Sequence, residues 1–135
     1  MKYTHRVQYY ETDRMGITHH SNYIRWMEEA RVAYLDSIGL NFSEIEKRGI
    51  MSPVVSVKCS YKKTSTFDDD IEIEVRVKEF KGVKLKLGYT MTKDEEVICT
   101  ASSTHCFINA DGGLINLKKD YPDIYDILSN EVSEE

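Results

Sequence analysis

The chain is short of cysteine, of proline, of basic charge and of long hydrophobic runs, and each shortage removes a class of protein. Cys59, Cys99 and Cys106 are odd in number, lack C-x-x-C spacing and sit in apolar or alternating stretches. A disulfide framework is not expected, and the thiols read as small hydrophobes in a reducing, cytoplasmic compartment. No window approaches the length that spans a bilayer, and Met1-Lys2-Tyr3-Thr4-His5-Arg6 has no apolar signal core, so neither membrane insertion nor export is expected. With 18 Lys and Arg against 23 Asp and Glu the formal charge is −5, which leaves no obvious basic surface for counterion release and argues against a nucleic-acid partner. No internal repeat or low-complexity segment divides the chain. Its 135 residues fit one domain, 1–135, large enough to bury a core without covalent staples.

What is present is period. Tyr3 to Tyr10 has the composition of a strand. Tyr23, Ile24, Met27, Ala30, Tyr34, Leu35 and Ile38 then recur at helical spacing with Arg25, Glu28, Glu29 and Asp36 between them, which predicts one long amphipathic helix. Ser21 or Asn22 is its expected N-cap and Gly39 its left-handed terminator. A short helical turn is expected over 41–48, capped by Asn41 or Ser43 and ended by Gly49, with Pro53 opening extended chain. Strands are predicted over 54–61, 71–77, 83–91 and 97–108, clearest where Ile71, Ile73, Val75 and Val77 alternate with Glu72, Glu74 and Arg76. The short links Lys81-Gly82 and Asp94-Glu95 force antiparallel neighbours, so the last three strands form a meander. Pro122 to Ser129 reads as a terminal helix, and the acidic end, 130–135, as a frayed tail. One helix must cover the sheet. That count predicts an α+β fold in which a curved antiparallel sheet wraps around one central long helix, with edges left for self-association.

The stretch between the first strand and the helix carries the chemistry. Residues 11–22 hold Glu11, Asp13, Gly16, His19 and His20 ahead of the helix start, where unpaired N–H groups and the positive end of the helix dipole favour developing negative charge. A carboxylate beside such donors supplies both parts needed to hydrolyse an ester or thioester, a nucleophile or base and an oxyanion site. His20 is a candidate to hold water or polarise the carbonyl. An aspartate before a helix is also a common turn former. Adjacent histidines lack the i, i+4 spacing of a metal site, so no metal is expected. His105 shares a strand face with Cys99, Ala101, Ser103 and Phe107 and reads as a satisfied core histidine. Neither a Gly-rich phosphate loop nor a G-x-S-x-G elbow occurs.

On these residues the sequence resembles the hotdog-fold acyl-CoA thioesterases, in particular the 4-hydroxybenzoyl-CoA thioesterase-like group with its small Tol-Pal-associated bacterial acyl-CoA thioesterases. The resemblance rests on Tyr10-Glu11-Thr12-Asp13-Arg14-Met15-Gly16-Ile17, on His20-Ser21-Asn22-Tyr23, and on the helix through Glu29-Ala30-Arg31. Tyr61-Lys62-Lys63 before Asp69-Asp70-Ile71 is a weaker match, with Thr64 and Asp68 where proline and glycine are usual. The resemblance implies a hotdog domain that dimerises by extending its sheet, as a homodimer or a homotetramer of two dimers, with sites at subunit interfaces. It implies Asp13 as nucleophile or general base, the His20 N–H as oxyanion donor, and the His20 side chain as a further catalytic candidate. Gly16 and Ile17 would bring the loop close to the thioester. Tyr23, Met27 and Glu28 would shape the acyl pocket, although Glu28 also reads as a solvated acid paired with Arg25 or Arg31. Lys58, Lys62 and Lys63 are candidates for the coenzyme A phosphates. No cofactor is expected beyond the coenzyme A of the substrate. A hotdog dehydratase is disfavoured because this loop has no proline. An acyl carrier protein substrate, or an acyl-binding subunit without turnover, remains an alternative.

Overall fold

A computed structural model describes residues 1–132. The elements in chain order are β1 (Lys2–Arg6), a 3-10 turn (Tyr9–Glu11), α1 (Ser21–Ser37), α2 (Phe42–Lys47), β2 (Val54–Tyr61), β3 (Asp70–Phe80), β4 (Leu85–Lys93), β5 (Glu96–His105), α3 (Leu117–Asp120) and α4 (Pro122–Asn130). The five strands form one antiparallel sheet in the order β1-β3-β4-β5-β2. The concave face buries Ile71, Ile73, Val75 and Val77 of β3 with Leu85, Leu87, Tyr89 and Met91 of β4. α1 lies in that concavity with Tyr23, Trp26, Met27, Ala30, Tyr34 and Leu35 buried. This is the helix-in-sheet arrangement that the count of one long helix requires, and it is the hotdog architecture.

The meander β3-β4-β5 is as expected, and Asp94 (φ 49°) and Glu95 (φ 67°) form its tight hairpin with the two left-handed residues that match strand twist. Several boundaries differ from the expected ones. β3 runs on past Val77 to Phe80 through the register shift at Val77/Glu79, and β5 stops at His105 rather than Ile108, which forms only an isolated bridge to Met51. The first strand stops at Arg6 because Val7 turns into the core and the chain coils into the 3-10 turn at Tyr9. β4 begins at Leu85, not Val83. The fraying expected from residue 130 does not occur through Val132. Asn130 is helical, Tyr34 Oη donates to Glu131 at 2.7 Å, and Val132 bridges to Val77; residues 133–135 lie outside the described residues. Finally, neither Ser21 nor Asn22 caps α1. The N-cap position falls on His20, which makes no side-chain cap bond, and the Ser21 N–H is instead met by His19 Nδ1 at 3.3 Å, which also faces Ser21 Oγ at 2.8 Å. Asn41 caps α2 as expected, accepting from the Glu44 N–H at 3.1 Å.

A polar chain crosses the core beneath β5. Arg31, only 3% exposed, donates from Nη1 to His105 Nδ1 (3.2 Å) and from Nη2 to Glu28 (2.5 Å). Because Arg31 can only donate, His105 carries its proton on Nε2 and donates it in a hydrogen bond to Ser103 Oγ (2.7 Å), which meets Tyr89 Oη at 2.7 Å. His105 is therefore the satisfied core histidine the strand pattern predicts. Burial and the adjacent Arg31 cation push it down to about 3.

An unfolded histidine protonates near its ordinary value of 6.5 while the folded one stays neutral until about 3, so between these limits the unfolded state holds one more proton. Stability supplied by this group is complete above pH 6.5 and falls by about 1.4 kcal/mol per pH unit below it. Urea unfolding from pH 7 to 4 should show this slope, and a His105→Gln variant should show a shallower one. Equal slopes would refute the assignment.

Candidate active site

The loop that carries Asp13 is a small hairpin pinned at its base. Thr12 bridges Thr18, the Asp13 N–H donates to Ile17 O (2.9 Å), and the Gly16 N–H donates to Asp13 O (2.9 Å). Gly16 takes φ +79°, and a Cβ there would meet nothing within 4 Å. The glycine is thus required by the left-handed turn, whereas the close approach expected of it is not seen within the chain. Asp13 is half-buried. Its Oδ1 accepts from the Met15 N–H at 2.8 Å, and Oδ2 has no partner among the described residues.

Two anchors fix this hairpin against the rest of the domain. The first is the hydroxyl-rich turn after β2. Thr18 N–H donates to Ser65 O (2.8 Å), Ser65 Oγ meets Thr18 Oγ1 (2.7 Å) and Tyr23 Oη (3.0 Å), and Thr66 Oγ1 donates to Gly16 O (2.7 Å). The second is Glu11, a carboxylate 4% exposed. Its Oε1 accepts from Gln8 N–H (2.8 Å) and faces His5 Nε2 (2.8 Å), while Oε2 accepts from Trp26 Nε1 (2.8 Å). Its backbone carbonyl accepts from the His19 N–H (2.8 Å) and from Asn22 Nδ2 (2.9 Å). Burial alone would raise this carboxyl, but the bonds from Gln8, His5 and Trp26 outweigh it and hold it below its ordinary value. The other ring nitrogen of His5 faces Glu29 at 3.2 Å, and Tyr3 Oη donates to the same Glu29 oxygen at 2.8 Å.

At the start of α1 the Asn22 and Tyr23 amides donate to His19 O and His20 O, and the Ser21 amide is taken by the His19 ring. The His20 N–H has no acceptor among the described residues. The His20 ring is exposed, stacked on His19 at 4.4 Å and edge-on to Tyr61 at 6.1 Å. One turn further on, Tyr23 meets Tyr61 at 5.2 Å, and Met27 Sδ lies 3.7 Å from Cys59 Sγ. His20, Tyr23 and Met27 therefore line the side of α1 that faces β2. Ile17 is half-buried in the hairpin.

The other expected residues stand apart from this line. Glu28 is half exposed and ion-paired with Arg31, so the pairing its helical spacing allows is the one formed, and its carboxylate is engaged there. Lys63 is salt-bridged to Glu96 at 2.6 Å, and the backbone amides of Lys62 and Lys63 both donate to Ile98 O. Ser65 and Trp26 had no expected part in the site, and Glu11 was expected only within the motif of the loop, yet these three hold the loop in place. An apolar cavity of about 300 Å3 lined by Leu35, Leu40, Ile50, Phe107 and Leu128 sits at the other end of α1, roughly 20 Å away by helical rise, and touches none of the candidate residues. Among the described residues no group of three or more His, Cys, Asp or Glu side chains is placed to hold a metal ion, and no helix is long and apolar enough to cross a membrane.

Residues 7–130 match the Thioesterase-like superfamily. The Bacillus subtilis protein named "Putative acyl-CoA thioesterase YneP" is 34% identical over 119 residues, 87% of this chain and 86% of that protein. Acyl-CoA thioesterase YbgC of Haemophilus influenzae is 31% identical over 100 residues, 72% of each chain. Among solved structures, a DHNA-CoA thioesterase from Staphylococcus aureus superimposes with TM-score 0.91 at 28% identity, covering 96% of this chain and 88% of that one.

Replacing Glu11 by glutamine sets an NH2 group against donors that now meet an acceptor. The expected cost is about 3 kcal/mol, read as a lower urea midpoint at pH 7. Because the folded carboxyl titrates below its ordinary value of 4.5, the wild-type advantage should be complete above that pH and shrink as pH falls below it. A variant as stable as wild type at pH 7 would show that Glu11 is not an anchor.

Proposed function

We infer that this chain, which belongs to the Thioesterase-like superfamily, hydrolyses the thioester of a small or medium acyl-CoA to the free acid and coenzyme A, with Asp13 as nucleophile or general base. The observation that carries the reading is the juxtaposition along the chain of a carboxylate whose Oδ2 has no partner among the described residues and a helix start whose N-cap amide, His20 N–H, has no acceptor among them. Attack of water or of Asp13 on the thioester carbon forms a C–O bond and places negative charge on the carbonyl oxygen. The His20 N–H and the positive end of α1 are suited to that charge. Collapse breaks the C–S bond, and the thiolate leaves without strong acid assistance. Where water attacks, Asp13 takes its proton and the free acid forms directly. Where Asp13 attacks, water then hydrolyses the acyl-aspartate anhydride to release the acid and restore the carboxylate. His20 borders the path as an auxiliary group, and Gly16 and Ile17 shape the loop beneath it. The acyl group is assigned to the crevice between α1 and β2, against Tyr23 and Met27. Glu28, held by Arg31, has a lesser part. The reading needs no metal and no cofactor other than the coenzyme A of the substrate, for whose phosphates Lys62 and Lys63 are secondary candidates. The free thiols of Cys59, Cys99 and Cys106 fit a cytoplasmic setting.

The crevice is unfinished in a single chain. β2 is an edge strand, and Val57 and Tyr61, which by register share the concave face with Ser103 and Cys99, are 38% and 47% exposed. An unpaired edge bearing such residues is unusual unless another strand covers it. A second copy pairing β2 to β2 would extend the sheet and close both crevices, making the active assembly a homodimer or a pair of dimers with sites at the subunit interface.

Asp13→Asn should fold and bind coenzyme A yet release free thiol from acyl-CoAs about a thousandfold more slowly, whereas His20→Ala, which keeps the backbone donor, should lose less. Undiminished turnover in Asp13→Asn would sink the mechanism. Sedimentation should give a particle of two or four chains, and Val57→Lys should shift it toward one. A wild-type monomer that turns over normally would remove the interface from the site.

A further inference from the structure

The outer face of the sheet carries charge out of keeping with an acidic chain. Register places Arg76 of β3 opposite Gly88 of β4, Gly88 opposite Ser102 of β5, and Ser102 opposite Lys58 of β2. One straight row across four strands thus has a cation at either end and two small residues between. Lys86 stands in the neighbouring row, between Glu79 of β3 and Thr104 of β5. Lys78 falls at the register shift between Val77 and Glu79, and this bulge turns its side chain over Gly88. A Cβ at Gly88 would lie 2.8 Å from Lys78 Cδ and 3.1 Å from Arg76 Cζ, so the glycine makes room for both. The result is a saddle of about 260 Å3, floored by Ser60, Thr100 and Ser102 and walled by Lys58, Arg76, Lys78 and Lys86.

No carboxylate lies within 4 Å of any of these four cations among the described residues, although the adjoining β1–β3 face pairs its own charges, as Arg6 with Asp70 and Lys2 with Glu72. Arg76 is oriented by a bond to Thr90 Oγ1 at 3.3 Å. Four like charges around a hydroxyl-lined depression cost stability when empty and match an anion of high charge density. We propose that this saddle is a binding site for the phosphate groups of a nucleotide. The acyl-CoA reading supplies one source of such phosphates, the nucleotide end of coenzyme A, and the inference rests on that reading for this source only. A free nucleotide is the other source.

Calorimetric titration with ADP, inorganic pyrophosphate and coenzyme A tests the site without requiring turnover. Wild type should bind ADP and pyrophosphate with an affinity that falls as salt rises. Arg76→Ser and, from a separate strand, Lys58→Ser should each weaken binding about tenfold, with circular dichroism establishing that both fold. Gly88→Ala keeps every charge but displaces Lys78 and Arg76, so a built site loses affinity while a diffuse basic surface does not. Kinetics distinguish the sources. If coenzyme A is the ligand, KM for acyl-CoA rises in the variants with kcat retained, and an acyl-pantetheine substrate is unaffected. If a free nucleotide is the ligand, ADP affinity falls while KM stays constant. No ADP or pyrophosphate binding by wild type, or equal binding by wild type and Gly88→Ala, overturns the saddle. A wild type that hydrolyses no thioester defeats the proposed reaction, and the ADP titration still reads the site.

Discussion

The buried carboxylate of Glu11 is the constraint on which the arrangement of this domain's loop depends. A charge taken out of water is tolerated only where donors replace its hydration, and here they come from three different places in the chain: the strand residue His5, the turn amide of Gln8 and the helix residue Trp26. Satisfying one anion therefore fixes β1, the 3-10 turn and α1 relative to one another. The carbonyl of the same residue receives His19 and Asn22, so the descent into α1 begins from that fixed point. Asp13 inherits its position from Glu11 two residues earlier, and needs no tertiary bond of its own carboxylate to hold it.

The parts of the fold written in periodicity were legible. The alternation in β3 and β4 and the helical recurrence from Tyr23 to Ile38 gave the elements and the wrapping of sheet around helix, because one apolar face per element leaves few ways to bury it. Asn41 was legible as a cap because its bond is local. What was not legible depended on partners distant in sequence. Ser65 lies 47 residues from Thr18 and 42 from Tyr23, and nothing in the hydroxyl run Thr64-Ser65-Thr66 states which of the three turns inward. Arg31 reads as a surface cation at its spacing from Glu28, yet it is buried because His105, 74 residues away, offers it an acceptor. The cap of α1 was misplaced because the helix already begins at Ser21, with His20 at the N-cap position, and the Asn22 side chain is turned to Glu11 O, eleven residues back.

The two faces of the sheet divide the chemistry between them. On the concave side, the polar groups beneath β5 are joined in a chain of bonds from Glu28 through Arg31, His105 and Ser103 to Tyr89. On the convex side, ion pairs form toward β1, as Arg6 with Asp70 and Lys2 with Glu72, whereas Lys58, Arg76, Lys78 and Lys86 around the middle of the sheet make none among the described residues. A net charge of −5 conceals this, because the acids that set it lie elsewhere. Composition therefore spoke correctly about the absence of a basic chain and was silent about a basic place.

The strand order also sets a timetable for synthesis. β2 pairs only with β5, and β3 and β4 are translated in between, so β2 leaves the ribosome before its partner within the chain exists. During that interval an apolar strand with both edges open is available to any other nascent chain, while β3, β4 and β5 zip together by adjacent hairpins as they emerge. The same edge that would join two finished subunits is thus the segment most exposed to mispairing in an unfinished one, and slow decoding between residues 61 and 96 would lengthen that exposure.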